Sequence, residues 1–190
     1  FKTNSLKGFG IENLEEGIIA AGAILHYLEE TEHKKIEHIA SISRIEEEKY
    51  VWMDKFTIRN LELVYPQQEG GIPLIQILDK TLTPMGSRQI KKWMVLPVKD
   101  KAVIEERLQI VEAFHKNNDL TESLRTSLKS MGDVERLISK VAVGRVNPRE
   151  LNQLKKALGL MSPLKKALEE SGESALKKLS NQINPCEYLY

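Results

Sequence analysis

The stretch Asp79-Lys-Thr-Leu-Thr-Pro-Met-Gly-Ser-Arg-Gln-Ile-Lys-Lys-Trp-Met-Val-Leu-Pro-Val98 decides how this chain is read. Thr83 is placed to accept hydrogen bonds from the free N–H groups of a helix's first turn. Pro84 follows at the first helical position, where a missing N–H leaves no acceptor unpaired. Gly86 lies inside that turn, where glycine is about 1 kcal/mol less favourable than alanine, so it is expected to admit close approach of another backbone. Ile90, Trp93, Met94 and Leu96 give the segment an apolar side, and Arg88, Lys91 and Lys92 a polar one. Pro97 ends it. A loop, a cap and an amphipathic helix set in a helical core result.

Downstream the helical pattern continues. Asp100 caps a segment with the apolar stripe Ile104, Leu108, Val111 and Phe114. Leu120, Leu124 and Leu128 form the next stripe, then Val134, Leu137, Ile138 and Val141, closed by Gly144 as a C-cap. Asn147-Pro148-Arg149-Glu150 supplies a capping Asn, Pro at the first helical position and Glu at the third. Leu151, Leu154 and Leu158 continue that helix. Ser162-Pro163 repeats the cap-and-proline device. Leu176, Leu179 and Ile183 mark a short last helix, and Asn184-Pro185 looks like the opening of another that the chain cuts short.

Upstream, Tyr65–Pro73 holds two prolines and two glycines and reads as a loop. Asp54 caps a helix carrying Phe56, Leu61 and Leu63. Ile39–Ile45 and Tyr50–Met53 are rich in β-formers, with Glu46-Glu47-Glu48-Lys49 between them, and predict one small β hairpin. A first helix is expected from Asn13, with Asn13 and Glu16 as a capping box and Leu14, Ile18, Ala21, Leu25 and Leu28 at helical spacing. Gly17 and Gly22 within it suggest tight packing against a neighbour. Phe1–Gly10 is polar and reads as a linker. The fold class is therefore mainly α: a multi-helical domain over residues 11–190 with one small hairpin.

Composition narrows the function. The 190 residues carry a formal net charge of +1, so no global field draws the chain to nucleic acid or membrane. Residues 1–63 hold eight Lys/Arg and twelve Asp/Glu, and residues 64–190 hold twenty and fifteen, a shift from −4 to +5 that a solvated helical surface explains at least as well as a nucleic-acid footprint. Cys186 is the single cysteine, which excludes an internal disulfide and fits a reducing compartment, hence an expected cytoplasmic location. No run of about 18 apolar residues predicts a membrane span. His26 and His33 lie seven apart with no Cys or carboxylate at a recognised ligand spacing. Ser and His occur without a motif that would set a base beside a nucleophile. Neither Gly8-Phe9-Gly10 nor Gly70-Gly71 belongs to a phosphate-binding pattern, and GxxxxGK[ST] is missing from the sequence. No catalytic, cofactor-binding or metal-ligating residue is assigned, and the chain itself is read as non-enzymatic.

The wording of the opening stretch carries more than its spacing. Leu-Asp-Lys-Thr-Leu-Thr-Pro-Met-Gly-Ser-Arg, then Lys-Lys-Trp, then Leu-Pro-Val, closely resembles the core-domain signature of the MutS family of DNA mismatch-repair ATPases. Asp54-Lys-Phe-Thr-Ile-Arg-Asn-Leu-Glu-Leu63 resembles the block that precedes it. Asp133-Val-Glu-Arg-Leu-Ile-Ser-Lys-Val-Ala-Val-Gly-Arg-Val-Asn-Pro-Arg-Glu-Leu151 resembles the one that follows. The likeness runs from about Leu6 to the C-terminus. It implies the helical core domain, entered from a connector linker at 1–10 and stopping before the lever helices and clamp. In the family this core joins the DNA-reading parts to the ATPase and transmits state between them. The longer parent is then expected to bind mismatched double-stranded DNA, use ATP and Mg, form a homodimer and meet a MutL-type partner. The family's Phe-x-Glu reader has no counterpart here, since none of Phe1, Phe9, Phe56 or Phe114 has Glu two residues later. Two other readings remain: a free-standing helical protein-interaction module, against which the opening without Met speaks, and the core of a family branch without mismatch recognition.

Overall fold

Short polar side chains start most of the helices. Asp54 accepts from the Thr57 N–H, Thr83 from Gly86, Asp100 from Ala102, Asn117 from Leu120, Asp133 from Arg136 and Asn147 from Glu150. Each fills one donor that the first turn of a helix leaves open. The computed structural model describes residues 11–189 except 12, 32–35, 37, 38, 40, 45 and 46. Among the described residues the α-helices are α1 (Glu15–Glu30), α2 (Lys55–Asn60), α3 (Leu74–Leu78), α4 (Pro84–Val95), α5 (Lys101–Lys116), α6 (Asn118–Met131), α7 (Val134–Ala142), α8 (Pro148–Gly159), α9 (Met161–Glu169) and α10 (Ser174–Asn181). The protein is mainly helical, and no described helix is long and apolar enough to cross a membrane.

The core lies within α5–α10. Ala113, Leu124, Met131, Ala157, Leu164, Leu168 and Leu176 form one buried cluster, with Ile110, Phe114, Leu120, Leu128 and Leu179 packed against it. Asn147 and Glu150 form the reciprocal capping box that the sequence predicts. α7 closes at Gly144, whose φ of 70° lets its N–H reach the Val141 carbonyl while the Arg145 N–H reaches Lys140. That is the two-bond C-cap for which glycine is favoured.

Several expectations change. Of the hairpin, Ala40, Ile45 and Glu46 lie outside the described residues. No strand forms among the rest: Glu47–Lys49 is a 3₁₀ turn, and Tyr50 makes a lone antiparallel bridge to Val98. Val51 donates to the Pro97 carbonyl at 2.7 Å and Lys99 to the Lys49 carbonyl at 3.0 Å. The β-formers after Lys49 thus pair with the extended chain that Pro97 enforces. α1 starts at Glu15 behind Leu14, with no side-chain cap, so the Asn13–Glu16 box does not form. Its glycines are not packing sites among the described residues: a Cβ on Gly22 would meet nothing within 4 Å, and one on Gly17 only Leu14 of its own helix. α9 begins at Met161, so Ser162 and Pro163 sit inside its first turn, where a missing N–H is still harmless. Asn184 opens no α-helix: its side chain accepts from the Cys186 N–H and a 3₁₀ turn follows at Glu187–Leu189. α3 is an addition. Its Leu74 and Ile75 N–H groups donate to the Glu62 and Leu63 carbonyls, a non-local pairing that the local sequence pattern does not encode. The linker at 1–10 lies outside the described residues.

Candidate functional site

The signature stretch folds as its chemistry dictates and then reaches outward. Asp79 gathers the loop before α4: it accepts from the Thr81 N–H at 3.0 Å, the Thr81 hydroxyl at 2.6 Å and the Ser87 hydroxyl at 2.5 Å. The Ser87 and Thr81 bonds hold its carboxyl below the ordinary aspartate range. Thr83 Oγ1 accepts from the Gly86 N–H at 3.0 Å. Gly86 is close-packed, but against side chains rather than a second backbone. A Cβ there would lie 3.1 Å from Thr81 Cβ and 3.2 Å from Thr83 Oγ1.

Two residues one turn apart on α4, Met85 and Arg88, turn toward the bundle. Met85 packs against the α5–α10 core. Arg88 makes a fork across 45 residues of sequence: Nη1 and Nη2 donate to the two carboxylate oxygens of Asp133 at 2.9 and 2.7 Å. Nε and Nη2 donate to Glu135 Oε2 at 3.0 and 2.6 Å. Planar guanidinium geometry suits this bidentate pairing and lysine could not reproduce it. These bonds raise the Arg88 pKa further above its already high value, and Arg88 in turn holds Asp133 below the usual carboxylate range. Asp133 is also the N-cap of α7, so one carboxylate starts a bundle helix and holds the signature helix.

α4 has further attachments. The Arg107 guanidinium of α5 lies 4.1 Å from the centre of the Trp93 ring. On the opposite side, Lys91 Nζ sits 5.1 Å from the ring centre of Tyr65 in the preceding loop. The end of the stretch is held by the Tyr50–Val98 bridge. The signature helix is thus a junction touched from both directions along the chain.

Beside it, a cleft of about 260 Å³ is lined by Asp133, Arg136, Leu137, Lys140, Glu150 and Gln153. Lys140 pairs with Glu150, which pulls the Glu150 carboxyl below its usual range, helped by the Asn147 N–H. Two cations face two carboxylates, which leaves no net charge to draw an ion. Among the described residues no group of three or more His, Cys, Asp or Glu is placed to hold a metal. His33 lies outside them.

The sequence profile of MutS domain III matches residues 56–188. The chain belongs to the MutS domain III family. It is 60% identical over 189 residues to the DNA mismatch repair protein MutS of Cytophaga hutchinsonii, covering 100% of this chain and 22% of that protein. It is 50% identical over 186 residues to the MutS of Bacteroides fragilis, covering 98% of this chain and 22% of that protein. For the MutS of Christiangramia forsetii the identity is 48% over 189 residues, 100% of this chain and 22% of that protein. The chain spans about a fifth of the length of these curated relatives. Both blocks that Arg88 joins, the signature and the Asp133 segment, fall within the matched domain. Their pairing was not foreseen from the sequence, although each block stood out there on its own; opposite charges inside two such blocks were the available signal.

Proposed function

We propose that this chain is the core domain of a longer MutS-type mismatch-repair protein and works mechanically, carrying state between the DNA-reading parts and the ATPase. In this reading the parent binds mismatched double-stranded DNA, binds ATP with Mg, acts as a homodimer with a MutL-type partner, and resides in the cytoplasm. The 190 residues supply no catalytic group themselves. Their contribution is to hold α4 in register with the bundle, so that displacement on one side is felt on the other.

The supporting observation is the double duty of Asp133. Because it caps α7 and grips Arg88, α4 and α7 cannot shift relative to one another without breaking the fork, the cap, or both. Coupling needs such a contiguous physical connection whose arrangement both sides can bias. The test is Arg88→Ala in the full-length protein. Mismatched-DNA affinity and basal ATP hydrolysis should stay within about twofold, while the change in hydrolysis that mismatched DNA evokes should shrink about fivefold or more. An unchanged mismatch response would contradict the mechanical reading.

A further inference from the structure

α5 turns Val103, Arg107, Ile110 and Phe114 toward the bundle, at i, i+4, i+7 and i+11, and all four are half-buried. Ile110 and Phe114 pack on the core cluster. Arg107 is thus a charged residue set in an otherwise apolar stripe. Over it lies the Trp93 ring of α4, with the guanidinium 4.1 Å from the ring centre. A guanidinium is planar and weakly hydrated, so it stacks on an indole face where an ammonium would keep more of its water. The α4 tryptophan therefore accounts for the arginine in the α5 stripe.

Arg88 and Trp93 attach α4 to different helices. Arg88 reaches Asp133 and Glu135 at the start of α7 through four hydrogen bonds. Trp93 lies about 7.5 Å further along the axis and about 140° around it, and meets α5. The fork sets where α4 sits on the bundle. The connection between Val95 and Lys101 sets how close the ends of α4 and α5 lie, and the stack sets the angle between them. The two attachments are unequal. A bidentate, charge-assisted fork outlasts a single cation–π contact. Trp93 is 44% exposed, so water reaches the stack and can replace it without opening the buried cluster. Resting on the mechanical reading above, we propose that Arg107 is a positioning residue for the mismatch response of the full-length protein. Its stack on Trp93 opens and closes as α4 tilts about the Arg88 fork, which stays made.

The test uses the full-length protein labelled with 5-fluorotryptophan, in which the Trp93 fluorine resonance is identified by its loss in Trp93→Phe. Mismatched duplex should move that resonance toward its position in Arg107→Gln, and matched duplex should leave it in place. In steady-state assays, the change in ATP hydrolysis that mismatched DNA evokes should fall about threefold in Arg107→Gln and in Trp93→Leu, with basal hydrolysis and mismatched-DNA affinity within about twofold. The two substitutions together should lose no more than either alone, as expected for partners in one contact. Trp93→Phe keeps an aromatic face and should retain about half the response or more. A Trp93 resonance that mismatched DNA leaves in place, or that matched DNA moves equally, would overturn the proposal. So would losses that multiply in the double variant, or that fall equally on basal hydrolysis. A response lost in Arg88→Ala but retained in Arg107→Gln would overturn it too, while the mechanical reading would stand.

Discussion

Residues 101–183 bury Ala113, Leu124, Met131, Leu137, Leu154, Ala157, Leu164, Leu168, Ala175 and Leu176, whereas between residues 11 and 100 the buried apolar side chains among the described residues are Ile11, Leu63, Val64 and Pro73. The first region is held by a shared apolar cluster. Apart from Met85, which packs on that cluster, the second is held by directed contacts: the Asp79 hydrogen bonds, the Thr83 cap, the Tyr50–Val98 bridge and the Arg88 fork. Apolar burial is collective, since removing one member leaves a void that all its neighbours feel. Directed polar contacts at half-exposed positions can open one at a time. The contrast implies that the bundle unfolds as a unit while α4 can loosen from it below the global transition.

The strongest challenge to the contrast is a cavity in the bundle. Leu176 on α10 is fully buried, so Leu176→Ala should destabilise by about 2–5 kcal/mol, read as a lower urea midpoint. A loss under about 1 kcal/mol would mean that the cluster does not carry the fold. Gly86→Leu tests whether the signature turn is close-packed. The added side chain must displace Thr81 and Thr83, and overpacking of this kind costs about 1–3 kcal/mol. A change within about 0.5 kcal/mol, the norm for surface positions, would make the glycine incidental. Asn147→Ala removes half of the α8 capping box and should cost about 1 kcal/mol. Because that helix belongs to the bundle, the loss should lower the global midpoint rather than act on α4 alone.

The smallest effect is one of pH. Asp133 is held below the ordinary aspartate value of 3.8, chiefly by hydrogen bonds from Arg88. A carboxylate whose pKa is lowered by folding stabilises the native state above its unfolded pKa. That contribution is lost as pH falls through the folded value. The Arg88 tether should therefore be intact at neutral pH and weaken only below about pH 3.8. Near-ultraviolet circular dichroism in a Trp52→Phe background, where Trp93 is the remaining tryptophan, compared with the Asp133→Asn variant of that background, reports it. The variant should lack the acid-linked step, and an identical step in both would assign it to another carboxylate.

Much of this architecture was legible because its causes are local. Thr83, Asp54, Asp100 and Asn147 cap helices where the sequence places them, since a cap needs only a short polar side chain and three following residues. Leu124, Leu154 and Leu176 reach the core through helical periodicity. What was not legible depends on contacts between distant segments. The face of α5 that meets the bundle is chosen by α6 and α10, so Ile104 and Leu108 read as core while Ala113 carries the burial. Val98 lies nearly 50 residues from its partner Tyr50, too far for a turn rule to link them. Arg88 and Asp133 likewise sit on separate helices, and no period relates them. For the candidate site, the signature helix was visible as an element, but its role as a junction required the fold.

The central claim is that α4 is pinned to the bundle through Arg88 and can be released without unfolding it. Amide hydrogen exchange on the wild-type protein and on Arg88→Ala addresses this most directly. The account predicts that exchange across Met85–Val95 accelerates several-fold or more while α10 stays within about twofold. Equal acceleration in both helices, or none in α4, would contradict it.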